Sequence, residues 1–242
     1  MLCHAAMTPT RQGSFRFFRF AGITVFVHWT WFAVAYYILS SRSAVYASLF
    51  WNVAEYCGLF FLVLLHEFGH SLACRQTGGS ANQIILWPLG GVAFVAPPNR
   101  PGAVLWSIAA GPLVNVVLVP VFLLLGFAAD AAGLAGSSPN LYSLLQTMSV
   151  VNFGLLIFNM LPIYPLDGGQ ILRALLWFRL GPIRSLQIAT GVGFAGAGAL
   201  AVLAFFKGSF WLGIMAAFMV MHCRAAWGYA RVLAARQGMP PV

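Results

Sequence analysis

The sequence predicts an all-α polytopic membrane protein, with about six transmembrane helices and a short membrane-dipping β-hairpin near residues 83–96. Three observations lead there. Of the 242 residues 61% are hydrophobic and 7% charged, whereas a soluble domain carries about 25% charged residues and can face water on all sides. Several apolar runs reach the roughly 20 residues that a helix needs to cross a bilayer. The 13 Lys and Arg residues lie thinly in the loops between those runs and form no stripe, so the net charge of +9 reads as a topology signal and not as a nucleic-acid footprint.

The elements follow in order. Residues 1–22 form a basic N-terminal stretch with Arg11, Arg16 and Arg19. The apolar run after it, about 23–40, is longer than the roughly 7–15 residues of a signal-peptide core and lacks a small-residue cleavage site, so it is expected to stay as the first span. Further spans are expected at about 50–74, 103–128, 141–161, 186–206 and 209–229. Residues 23–229 then form one integral-membrane domain and 230–242 a short tail. With these boundaries eleven basic residues fall on one side, and two, Arg42 and Lys207, on the other. That excess puts both termini in the cytoplasm, for a multi-pass protein of the cell (inner) membrane.

Residues 83–96 are apolar but too short to cross, β-rich, and interrupted by Pro88, Gly90 and Gly91. Open backbone at membrane depth is tolerated only where it is buried in protein or lines a watery cavity. Pro162 and Pro165 break the end of the fourth span just before Asp167. Gly191, Gly193, Gly196 and Gly198 suggest close helix packing. Cys3, Cys57, Cys74 and Cys223 show no C-x-x-C spacing, and Cys57 and Cys74, within the second apolar run, read as small packing residues.

The acidic residues number four, and two of them, Glu67 and Asp167, lie embedded in apolar sequence beside other chemistry-bearing groups. A carboxylate at bilayer depth costs roughly 2.5–3.5 kcal/mol on insertion scales, so its presence there points to function. Glu67 sits within His66-Glu67-Phe68-Gly69-His70. Residues four apart share a helix face, so His66 and His70 can address one ion. Imidazole suits Zn2+, and three protein ligands leave a fourth position for water. Glu67, beside the first ligand but off its face, is placed as the base that takes that water's proton. The candidates for third ligand are His4, His28, His222, Glu55, Asp130, Asp167 and the cysteines. Glu55 is about 16 Å from His66 along the helix axis. Asp130 falls in a loop on the opposite side. Asp167 follows a span that ends on the same side as the histidines, so its depth matches, and one Zn2+ per chain is expected on His66, His70 and Asp167.

The segment Leu64 to Ala73, the element Pro88-Leu89-Gly90-Gly91, the run Ala110-Gly111-Pro112-Leu113-Val114-Asn115 and the stretch Asn159 to Gly169 occur in this order. Together they resemble the site-2 protease family, over about residues 22–180. The resemblance implies an intramembrane zinc endopeptidase that cuts a single-span membrane protein in or near its transmembrane segment. It implies His66, His70 and Asp167 on zinc, Glu67 activating water, and Asn159 holding the substrate backbone or the developing oxyanion. Asn159 also reads as a helix C-terminal cap before Pro162. Asn115 is expected to tie neighbouring helices together, and His28 to be a packed or interfacial histidine. The 83–96 hairpin is expected to accept the unwound substrate by β-augmentation. Many members of the family carry a PDZ domain or paired CBS modules, which this sequence lacks. Substrate choice is therefore expected to come from the membrane core, a membrane regulatory partner, or earlier cleavage of the substrate. Two further readings are a catalytically silent relative, against which the intact Glu67 argues, and a metal transporter. The transporter would need polar ligands along a path, and the third, fifth and sixth spans offer few.

Overall fold

The computed structural model describes residues 13–41, 45–87 and 90–237. Cys3, His4, Arg11, Arg42, Pro88, Leu89 and the last five residues of the tail lie outside these. The described chain forms two compact units, one from residues up to 97 together with 110–158, the other from 98–109 and 159–237.

The first unit begins with a hairpin. Strand β1 (Ser14–Phe20) pairs antiparallel with β2 (Ile23–His28) across Ala21 and Gly22, whose φ angles are 48° and 74°. A two-residue turn with both φ angles positive matches the twist of the flanking strands. Glycine adopts it freely, so the steric cost falls on Ala21. Strand β2 runs parallel to β3 (Ser80–Trp87), which pairs antiparallel with β4 (Gly90–Ala96), giving the order β1-β2-β3-β4. The crossover that a parallel pair requires is made by α1 (Thr30–Ser41) and α2 (Leu49–Gln76). The expected hairpin at 83–96 is thus β3–β4, but it is half of a four-stranded sheet.

The stretch expected as a first span is strand β2 followed by α1, whose 12 residues extend about 18 Å. Ile23 to Val27 is apolar and β-branched, and hydropathy alone does not separate such a strand from a helix. Among the described residues five helices are long and apolar enough to cross a membrane: α2, α3 (Pro101–Ala131), α5 (Pro139–Met160), α6 (Asp167–Lys207) and α7 (Phe210–Arg236). A single turn, α4 (Leu134–Ser137), joins α3 to α5. Leu124, Phe127, Phe205, Phe206 and Phe210 are each at least 68% exposed, a surface that suits hydrocarbon better than water.

One face of the sheet lies on α2. Ile23, Val25 and Val27 alternate inward from β2 and meet Ile84 and Leu86 of β3, Trp31 of α1 and Leu64 of α2. Phe60, Val63 and Phe68 of α2 extend this contact. Arg75, in the last turn of α2, fastens the edge of the arrangement. Its Nε donates to the Ala81 carbonyl at 2.9 Å, Nη2 to Asn82 Oδ1 at 3.3 Å, and Nη1 to the Ala21 carbonyl in the β1–β2 turn. A cation at a helix C-terminus is favoured by the dipole as well.

In the second unit α6 is two helical segments broken at Gly181, with φ 77° and Pro182 next to it. Its second segment packs on α7 through Leu186, Ala226 and Ala230. Of the four clustered glycines, Gly193 abuts the Tyr164 carbonyl and Cys223 Sγ, and Gly196 abuts Ile163. Gly191 and Gly198 have nothing within 4 Å of where a Cβ would stand, so the close-packing expectation holds at two of the four. Cys74 and Cys223 are buried thiols that donate to the Ser80 and Tyr164 carbonyls at 3.5 and 3.2 Å, as packing residues would. Cys57 is exposed.

Arg75→Met keeps the side-chain length and removes all three donors. Hydrogen bonds from a charged donor are worth about 1.5–3 kcal/mol. Amide exchange of residues 20–25 and 80–84 is therefore expected to quicken about tenfold or more, while exchange in α7 is unchanged. Unchanged exchange in the sheet would show that Arg75 clamps nothing.

Candidate metal centre

The C-terminal half of α2 carries His66, Glu67 and His70, which are 5%, 6% and 6% exposed. Among the described residues these three form a group whose ligand atoms all lie within 4.8 Å of one another. His66 Nε2 and His70 Nε2 are 3.1 Å apart. Two imidazole nitrogens on one tetrahedral zinc, each at about 2.0–2.1 Å, stand about 3.3–3.4 Å apart. The observed pair is within a few tenths of an ångström of that.

A second observation bears on the fit. Gly111 of α3 faces both rings. A Cβ built on it would collide with Nε2 and Cε1 of His70 and stand 2.9 Å from His66 Nε2. The missing side chain keeps open the space beside both nitrogens. Imidazole nitrogens are also donors that zinc favours. The residues therefore fit a zinc ion.

The local fold explains how α3 comes so near. Gly69, between the histidines, lies against the backbone of α3: a Cβ there would be 2.6 Å from the Ala110 carbonyl oxygen and 2.9 Å from Val114 Cγ2. Small residues at a crossing let helix backbones approach closely. The Gly in H-E-F-G-H and the Ala-Gly pair at 110–111 are the two sides of that crossing.

Beyond the rings lies a chain of amides. Asn115 Oδ1 is 2.7 Å from His66 Nδ1. Asn115 Nδ2 donates to Asn152 Oδ1 at 2.9 Å, and Asn152 Nδ2 donates to the Asn115 carbonyl at 3.1 Å. Both asparagines are fully buried. The expectation that Asn115 ties helices together holds, since it joins α2, α3 and α5. That it does so through His66 has no signal in the sequence. Asn152 was not a candidate at all. The available signal was a lone amide inside Val150-Val151-Asn152-Phe153, an apolar setting where an unpartnered amide is costly.

The surroundings of the other expected site residues are local to their own elements. Asp167, 9% exposed, is the first residue of α6, in the second unit. Gly168 packs on the backbone of Met160 and Leu161, Gly169 on that of Ile163 and Tyr164, and Gln170 Nε2 donates to the Pro165 carbonyl at 3.0 Å. Only glycine fits at both places, so the D-G-G sequence holds the start of α6 tightly on the preceding turn. Asn159, half-buried, is the next-to-last residue of α5 and belongs to the same unit. His28 is packed as expected, stacked on Trp87 at 4.2 Å, with Nδ1 2.7 Å from Thr30 Oγ1. Glu55 is buried and accepts a hydrogen bond from Tyr46 at 2.6 Å, an engagement that fits its exclusion as a ligand.

Spanning helices around a buried His-Glu-His group, on a helix that a small sheet covers, define the class: an integral multi-pass membrane protein with a metallohydrolase-type centre. Known proteins make the assignment specific. The sequence profile of peptidase family M50 matches residues 54–135 and 135–203. A zinc metalloprotease of Methanocaldococcus jannaschii is 36% identical over 180 residues, covering 74% of this chain and 50% of its own. The zinc metalloprotease Rip3 of Mycobacterium tuberculosis is 30% identical over 198 residues, covering 76% of this chain and 48% of its own. The solved structure of a site-2 protease from Methanocaldococcus jannaschii matches with a TM-score of 0.62 at 27% identity, over 88% of this chain and 95% of that one. The chain belongs to peptidase family M50, the site-2 protease family. It spans about half the length of the curated relatives it matches.

Alanine is the better helix former by about 1 kcal/mol, yet at position 111 its methyl group would stand against both ligand nitrogens. Gly111→Ala is expected to lower zinc content in purified protein at least tenfold, while the helix content of the metal-free form is unchanged. Full zinc occupancy in that variant would show that the ion sits elsewhere.

Proposed function

We propose that this chain is an intramembrane zinc endopeptidase, hydrolysing a peptide bond in or near the transmembrane segment of a single-span membrane protein. The observation that carries the reading is the buried pair of imidazole nitrogens 3.1 Å apart, with the Glu67 carboxylate within 4.8 Å of them, on a helix long enough to span. In this reading His66, His70 and Asp167 hold one Zn2+ per chain, Asp167 being assigned from its motif and its matching depth in the sequence. When bound, zinc supplies Lewis-acid activation of a water molecule and of the scissile carbonyl. Glu67 takes the proton of the attacking water and returns it to the leaving amine. The side-chain amide of Asn159 donates to the substrate backbone or to the charge developing on the carbonyl oxygen. Burial of His66, Glu67 and His70 lowers the local dielectric and strengthens these electrostatic terms.

A helical substrate hides its peptide bonds in its own hydrogen bonds and has to unwind before it is cut. The sheet order leaves β4 at an edge, which supports its use as a template for the extended segment, with main-chain pairing replacing the lost helix bonds. The reading of six crossings, with β2 and α1 together counted as the first, places both termini on the cytoplasmic side of the cell (inner) membrane, supported by eleven basic residues against two in the expected loops. A membrane regulatory partner is proposed to bring substrate to the site.

Purified full chain in detergent is expected to hold about one zinc and to cut a member of a panel of single-span substrates. Glu67→Gln is expected to keep the zinc and lose cleavage by about 100- to 10,000-fold, the range for a positioned acid–base group. Asp167→Ala is expected to lose zinc and cleavage together. Equal cleavage by wild type and Glu67→Gln would overturn the assignment of the base, and full zinc in Asp167→Ala that of the third ligand.

A further inference from the structure

We propose that Asn152 decides which nitrogen of His66 presents its lone pair for a metal, acting through Asn115. The inference rests on the reading of His66 as a zinc ligand and adds a positioning residue to it.

The argument starts at a group whose polarity is not in doubt. The backbone carbonyl of Asn115 can only accept, so the Asn152 atom 3.1 Å from it must be the amide nitrogen. The other end of that amide, Oδ1, therefore faces the Asn115 side chain, at 2.9 Å. An oxygen there demands a donor, so Asn115 presents its own nitrogen to Asn152 and its Oδ1 to His66. That Oδ1 is 2.7 Å from His66 Nδ1 and can only accept, so Nδ1 carries the hydrogen. Nε2, the atom 3.1 Å from His70 Nε2, is left with its lone pair. Each step is forced by the one before it.

The reversed arrangement fails at every link. Turning the Asn115 amide over would set two carbonyl oxygens face to face at Asn152 and offer a donor to Nδ1. His66 would then carry its hydrogen on Nε2, where it blocks coordination. Both amides are fully buried, so no solvent is at hand to repair such a mismatch. The origin of the relay is a main-chain carbonyl on α3, which has no rotamer to change. The polarity of a ring on α2 is thus set by backbone, through two side chains on α3 and α5.

The test measures zinc affinity by chelator competition on the detergent-purified full chain. Asn152→Leu leaves the Asn115 amide free to turn, and loss of such support behind a metal-ligating histidine typically weakens binding about 10- to 100-fold. Asn115→Asp offers His66 an oxygen whichever way it turns and is expected to bind zinc at least as tightly as wild type. Adding Asn152→Leu to Asn115→Asp is then expected to cost less than about threefold, because nothing remains to orient. An equal loss from Asn152→Leu in both backgrounds would overturn the relay in favour of a packing role, as would no loss in either. Wild type without zinc would overturn the metal site, and the relay with it. Should the leucine variants not fold, the 15N shifts of His66 in metal-free wild type decide. The Nδ1–H tautomer is expected, and Nε2–H overturns the proposal.

Discussion

Helices α2 and α3 meet backbone to backbone where Gly69 faces Ala110 and Gly111 faces the two histidine rings, and the rest of the site depends on that crossing. At an ordinary helix separation of about 8–10 Å larger side chains would fill the interface. Asn115 would then be too remote to reach His66. Residues 111 and 115 are four apart and so lie on one face of α3. The first contributes an absence of atoms beside the ligand nitrogens and the second an acceptor behind one of them. A single approach of two helices therefore makes the space for an ion and fixes a ring that would hold it.

Inside spanning helices polar groups have few partners other than one another, and this chain arranges them accordingly. The two buried asparagines satisfy each other and His66. Glu55, three turns earlier on α2, is engaged by Tyr46. Leaving a buried donor or acceptor unmatched costs about 1–3 kcal/mol, which gives these matched groups their weight; Asn52 Oδ1 and Ser71 Oγ of α2 are buried exceptions. The same reasoning that makes a membrane carboxylate conspicuous in sequence applies to amides, with a smaller penalty and a fainter signal.

How much of this was legible follows from the range over which each feature acts. His66, Glu67 and His70 are a local pattern, and four-residue spacing on a helix brings them together whatever the rest of the chain does. Asn115 was legible as a helix tie because it is polar amid apolar residues, but its partner is 49 positions away and no periodicity records that. Asn152 carried the same kind of signal without a motif around it. Strand β1 was hidden because alternating Phe and Arg look like a basic leader when read for charge. Strand β2 was absorbed into a span because hydropathy is blind to period. Both errors concern the sheet, whose parallel pairing of β2 with β3 joins segments separated by α1 and α2 and is fixed only in three dimensions.

That sheet is also what sets the rotation of α2 about its own axis. Leu64 and Phe68 are four apart and lie under β2 and β3; His66 and His70 are four apart and face α3. The two stripes are offset by two residues, about 200° around a helix of 3.6 residues per turn, so they occupy nearly opposite sides. Apolar burial under the sheet therefore turns the histidines toward Gly111, and Arg75, bound to the Ala21 and Ala81 carbonyls, resists sliding of the helix along that surface. A one-residue change of register, about 100°, would carry the histidines away from α3. The H-E-x-x-H pattern specifies that two rings share a face. The leucine and phenylalanine interleaved with them specify which way that face looks, and a metal centre needs both statements from the same seven residues.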